Sequence, residues 1–101
     1  MTEQREHRDS YPMVPRRVVC AALRRSGGLI ICGARHFDPI MRQVIGFIGG
    51  RQEWLGVEQG FIDQYGAFMP REEARVVAEA AGQIVRRVGG DSKILFSENL
   101  Y

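Results

Sequence analysis

The stretch RRVVCAALRRSGGLIIC, residues 16–32, decides the fold. It holds two apolar runs, residues 16–23 and 29–32, rich in small and β-branched side chains. Between them lies RRSGG, whose glycines supply the positive φ of a tight connection. The pattern predicts a β-hairpin. Both runs are too continuously apolar for a sheet wetted on one side, so each face is expected to be covered. Cys20 and Cys32 sit inside these runs as small core hydrophobes, and the chain has no further cysteine to complete a zinc set.

Downstream of the hairpin, ARHFD at residues 34–38 leads into Pro39. Asp38 fits an N-cap and Pro39 the first helical position, and Ile40, Met41, Val44, Ile45 and Ile48 recur at helical spacing. This helix is expected to end near Gly49 and Gly50. RQEWLGVEQ has no clear period and reads as a loop anchored by Trp54, or as part of a lid or interface. GFIDQYGAFM, residues 60–69, reads as a second hairpin turning near Tyr65 and Gly66. Pro70 then opens the clearest helix, with Glu72 and Glu73 at the positive end of its dipole. Its apolar stripe is Ala74, Val77, Ala78 and Ala81, and it stops at Gly82. Small residues in that stripe allow close packing on a sheet or on a partner helix. A turn at GGDS, then ILF and SENLY, complete the chain, with Leu100 and Tyr101 expected to seat in a groove. The fold class is therefore α+β: a small antiparallel sheet packed with two to three helices, residues 15–101 forming one domain after a flexible segment at 1–14.

At 101 residues the chain buries roughly 65% of its unfolded surface, enough for one modest core but not for a deep private pocket as well. A nucleotide-sized ligand would be held more easily between subunits. Apolar content of 45% and charged content of 26% are those of an ordinary globular protein. The polar start MTEQREHRDSYP lacks the apolar core of a secretion signal, and no apolar run approaches the ~20 residues of a membrane span. A cytoplasmic location is expected. A net charge of +2 is too small to imply duplex nucleic acid. Lys93 is the only lysine, so the positive charge is carried almost entirely by arginine. Its planar fork suits phosphate and carboxylate, although a GC-rich coding genome accounts for the same bias.

Catalytic chemistries are poorly supplied. REEARVVAEAAGQ superficially resembles the glutamate-rich Nudix box. The helix face that should carry several magnesium-binding carboxylates has valine and alanine instead, with Glu79 alone in mid-helix. The histidines are His7 and His36. Neither has an activated nucleophile nearby in sequence, and His36 with Asp38 makes at most half of a metal site. The Gly-Gly pairs lack the residues of a phosphate loop. No cofactor is implied. Binding without chemistry remains. Arg35 and His36 stand beside a helix start that favours anions. Phe61, Tyr65 and Phe68 offer ring faces for a base, Arg71 opens the second helix, and Gln83 and Asn99 offer paired donors and acceptors for base edges.

Four blocks in order, VVCAALR, ARHFD, QGFIDQYGAFMPREEARVVAEAAGQ and LFSENLY, resemble a family of small tailed-phage proteins, the Thoeris anti-defence family. Its members act as sponges for cyclic ADP-ribose-type immune signals, and some bind cyclic oligonucleotides. The resemblance spans residues 18–101. It implies an N-terminal antiparallel sheet, C-terminal helices, homo-oligomers, interfacial ligand pockets and action in the cytoplasm of an infected bacterium. By matching block it makes Arg35, His36, Phe61, Phe68, Arg71 and Asn99 ligand-binding candidates. The chain departs from the family pattern at Phe37, where a second histidine is common, and at Asn99, where aspartate is expected. Two further readings stand beside it: a protein-binding inhibitor of a bacterial defence complex, of the anti-CRISPR type, and a small hydrolase of the same signals centred on His36 with Glu72 or Asp38.

Overall fold

A computed structural model describes residues 14–25, 28–50, 54, 56–87 and 93–101. The flexible segment expected at the N-terminus falls outside this set up to residue 13, as does the whole GGDS turn. Four strands, β1 (Val18–Arg24), β2 (Ile30–Gly33), β3 (Glu58–Asp63) and β4 (Phe68–Pro70), form one antiparallel sheet in the order β2-β1-β3-β4. Helix α1 (Pro39–Phe47) follows β2, and α2 (Arg71–Ala80) follows β4 directly. A 3₁₀ turn spans Ser97–Asn99. The α+β class and both hairpins are as the sequence predicts. Strand β3 starts two residues before the expected Gly60, because Gln59 and Glu58 continue the ladder opposite Leu23 and Arg24.

Pro70 serves two elements. It ends β4 and is the N-cap of α2, with φ −60° and ψ 164°, so the helix begins at Arg71, one residue later than expected. Its ring fixes a φ common to strand and helix entry, and its missing N–H is no loss at a helix start. At the other end, Gly82 takes φ +70°, Gln83 N–H donates to Ala78 O and Gly82 N–H to Glu79 O. These two bonds close a Schellman motif. The Gln83 side chain then pairs with both main-chain groups of Val18, at 2.8 Å each, where β1 is irregular.

Register places Leu23 with Ile31, and Ala21 with Phe61 and Met69, on one face of the sheet. Both helices pack there. Ala74 and Ala78 of α2 meet Ala21, Phe61, Met69, Leu95 and Leu100. Met41 and Ile45 of α1 meet Leu23, Ile31 and Trp54. Trp54 is thus the anchor its loop was expected to provide. The expectation that both faces are covered is not met within the described residues. The opposite face carries Cys20, Ala22, Ile30, Cys32, Ile62 and Phe68, and its own side chains cover part of it. The Phe68 ring crosses Gly60 and takes the Arg24 guanidinium at 4.2 Å from its centroid.

Candidate functional site

The ARHFD corner is shaped by Asp38. Its carboxylate accepts from Met41 N–H at 2.8 Å, capping α1, and from Ala34 N–H at 2.9 Å and Arg35 N–H at 3.3 Å, folding the loop back on itself. The Met41 amide leads the amides that hold this carboxyl below its ordinary range. A Cβ at Gly33 would lie 2.7 Å from the same carboxylate, so any side chain there would push Asp38 away from these amides. Phe37 adopts φ +59°, a left-handed conformation uncommon for an aromatic, and drops its ring against the α1 core cluster. The corner is therefore a cap and a tightly held loop together. It presents Arg35 and His36 on its outer side.

His36 reaches across to the β3–β4 pair. Gly60 lies opposite Pro70, which has no amide proton to give, and the Gly60 carbonyl instead meets His36 Nε2 at 2.8 Å. A carbonyl only accepts, so Nε2 carries the proton. Nδ1 faces Arg71 Nη2 at 3.4 Å and Ser97 Oγ at 3.3 Å. Guanidinium only donates, so Nδ1 is the acceptor and the ring is held neutral in one tautomer. Phe61 stands edge-on beneath it, ring centroids 5.0 Å apart.

Arg71 ties the corner to the C-terminal block. Nη1 donates to Leu95 O at 2.6 Å, Nη2 to Gln59 Oε1 at 2.7 Å, and its own carbonyl accepts from Leu95 N–H at 3.1 Å. Phe96 and Phe61 lie 5.4 and 5.9 Å from the guanidinium. Burial lowers the Arg71 pKa, yet the group stays charged at any physiological pH. Arg35 closes the other side. It bonds the Tyr101 main-chain oxygen, lies 5.3 Å over the Tyr101 ring and pairs with Glu98 at 3.4 Å, while Tyr101 Oη donates to Ala34 O.

Of the residues singled out in the sequence, the fold brings Arg35, His36 and Arg71 to one half-exposed corner. The others are placed differently. Phe61 is wholly buried beneath His36, so it supports that ring and presents no face to a base. Phe68 lies on the far face of the sheet, because adjacent residues of β4 point to opposite sides. Asn99 is also wholly buried. Its Oδ1 accepts from Phe96 N–H at 2.8 Å and its Nδ2 donates to Arg86 O at 3.0 Å. Tyr65 Oη donates to Val14 O. Gln59 and Ser97 join the corner unforeseen. Their positions follow from cross-strand register and from the path of the last block, neither of which has a local signature.

Burial is the main cause that puts the His36 pKa below its ordinary 6.5, with the Arg71 charge adding to it and the Gly60 carbonyl opposing. The unfolded chain therefore takes up a proton before the folded one does. The stability that neutral His36 contributes is complete above pH 6.5 and falls as the pH drops from there toward the lower folded value. We expect the melting temperature to fall across this window in the wild type and much less in His36→Gln. Parallel profiles for the two proteins between about pH 5 and 8 would show that His36 is not the group responsible.

Among the described residues, no helix is long and apolar enough to cross a membrane. Comparison with curated proteins and with solved structures found no match. The model of the phage T4 y16D protein family, however, matches residues 17–101, covering every strand and helix described above together with the ARHFD corner and the terminal SENLY block. On that match, this chain belongs to the phage T4 y16D protein family.

Proposed function

We propose that this phage protein binds and sequesters a cyclic nucleotide immune signal, a cyclic ADP-ribose isomer or a cyclic oligonucleotide, without cleaving it. The observation that carries the reading is the convergence of Arg35 and His36, from the ARHFD loop, with Arg71, from the start of α2, on one corner backed by Tyr101, Phe96 and Phe61. Two guanidinium groups suit the phosphates of such a ligand. A second copy of the chain would enclose the corner, since a small domain has room for one modest core and not for a deep pocket of its own. The state of His36 favours binding over hydrolysis. Both ring nitrogens are engaged, and the Asp38 carboxylate is spent on its own loop amides.

Native mass spectrometry of the protein with a panel of cyclic ADP-ribose isomers and cyclic di- and trinucleotides tests this. A stoichiometric, chemically intact ligand on an oligomer is the expected result. A cleaved ligand would make the protein a hydrolase. Arg35→Ala and Arg71→Ala should each weaken binding by at least about tenfold, roughly 1.4 kcal/mol, without changing the mass of the assembly. Wild-type-like binding by both variants would move the site elsewhere. The protein-binding inhibitor is the second reading, favoured by Ile40 and Phe47, which α1 leaves 65% and 89% exposed. Failure of every nucleotide to bind would turn the search to protein partners.

A further inference from the structure

Arg75 stands out on α2. Glu72, Glu73 and Glu79 of the same helix are exposed, yet Arg75 is only 6% exposed. Its Nε and Nη2 both bond one oxygen of Glu79, at 2.9 Å each. Its Nη1 is buried with no hydrogen-bond partner. A buried, charged donor without an acceptor is costly, and in native proteins such a group commonly marks a site for water or an ion.

The groove that Arg75 lines carries further cations. Arg75 lines a groove of about 890 Å³ together with Arg87, Lys93, Glu72 and Glu79. A recess of about 360 Å³ shares Glu79 and Arg87 and adds Arg86. Among the described residues, four cations line the two hollows against two carboxylates. Glu79 is the anion already in place, holding Arg75 and standing 4.0 Å from Arg87. One glutamate oxygen serves two donors of Arg75 and leaves the third nitrogen unserved. A tetrahedral oxyanion has enough oxygens to engage Arg75, Arg87 and Lys93 together, which a carboxylate cannot do with two.

We propose that this flank of α2 binds a phosphate group, held by the Arg75 guanidinium in competition with Glu79 and flanked by Arg87 and Lys93. The site begins one helical turn beyond Arg71, about 6 Å along the axis. It rests on the geometry of Arg75 and stands whether or not the nucleotide reading holds.

The test is thermal denaturation of the full chain near pH 7.5 in inorganic phosphate, up to about 20 mM, against sodium chloride of equal ionic strength. We expect a saturable rise in melting temperature of about 4–8 °C in phosphate only. Arg75→Met should abolish it. Because that variant risks failing to fold, Arg87→Ala and Glu79→Gln decide independently. Arg87 is 60% exposed, and its removal should weaken phosphate binding several-fold in a folded protein. Glu79→Gln, which removes the competing charge while keeping an acceptor for Arg75, should tighten binding several-fold. A purely structural role for Arg75 would produce neither change. The same titration with adenosine 5′-monophosphate separates the sources, since a tighter dissociation constant than for inorganic phosphate assigns the site to a carried phosphate and an equal one to the free ion. No rise beyond chloride, or a rise that neither Arg87→Ala nor Glu79→Gln alters, would overturn the proposal.

Discussion

Gly60→Ala is expected to cost the fold about 3–5 kcal/mol, a large part of the 5–15 kcal/mol that holds a domain of this size together. A Cβ at this position would stand 2.1 Å from the Met69 carbonyl oxygen, 3.1 Å from its carbon and 2.7 Å from Phe68 Cζ. Two of these are backbone atoms of β4, which cannot yield without opening the β3–β4 ladder. That ladder carries Phe61 and Met69 into the core, and the Gly60 carbonyl holds His36. Core, hairpin and candidate site therefore fail together. Gly66→Ala is the contrast. It has open space around the new methyl and meets only left-handed backbone strain at φ +82°, about 1–2 kcal/mol. Urea denaturation of the two variants separates close approach from conformational strain. If Gly60→Ala is no worse than Gly66→Ala, β4 is more compliant than its register implies.

Asn99→Ala is expected to cost about 2–4 kcal/mol, because it leaves the Phe96 amide and the Arg86 carbonyl without their partner and opens a space in the interior. The Asn99 main chain also accepts from Val85 N–H at 2.8 Å, so this one residue joins the terminal block to the segment after α2. Asn99→Asp is the sharper experiment. A carboxylate can still accept from Phe96 N–H, but it faces the Arg86 carbonyl with no proton to offer. Its folded pKa should rise above the ordinary carboxylate value. The variant should then be nearest to wild type at low pH and lose stability as the pH rises through the carboxylate range. A variant as stable as the wild type at neutral pH would mean that Arg86 O finds another donor.

Several features were legible in the residues alone. The β1–β2 hairpin, the Asp38 cap with Pro39, and the α2 stripe ending at Gly82 each rest on interactions within a few positions of one another. Arg35 and His36 were legible as a corner for the same reason, since the helix cap that positions them lies three and two residues away. The aromatics were not. A hydrophobic ring in a strand has the same local pattern whether it is buried or presented. Only the pairing of Phe61 with Ala21 and of Phe68 with Ile62 sends Phe61 into the core and Phe68 to the opposite face of the sheet. Asn99 and Gln83 were expected to read base edges, and their amides are instead consumed by main-chain groups 13 and 65 residues away in sequence.

The sequence by itself determined the element types, the caps and turns, and the membership of a phage protein family, because these depend on local spacing and on ordered blocks of residues. Tertiary structure alone decided that Arg71 and Ser97 meet His36, that Gly60 must lack a side chain, and that Arg75 is buried with an unserved donor. Each of these depends on how distant segments approach in space, and the side-chain pattern of either segment alone does not encode that distance.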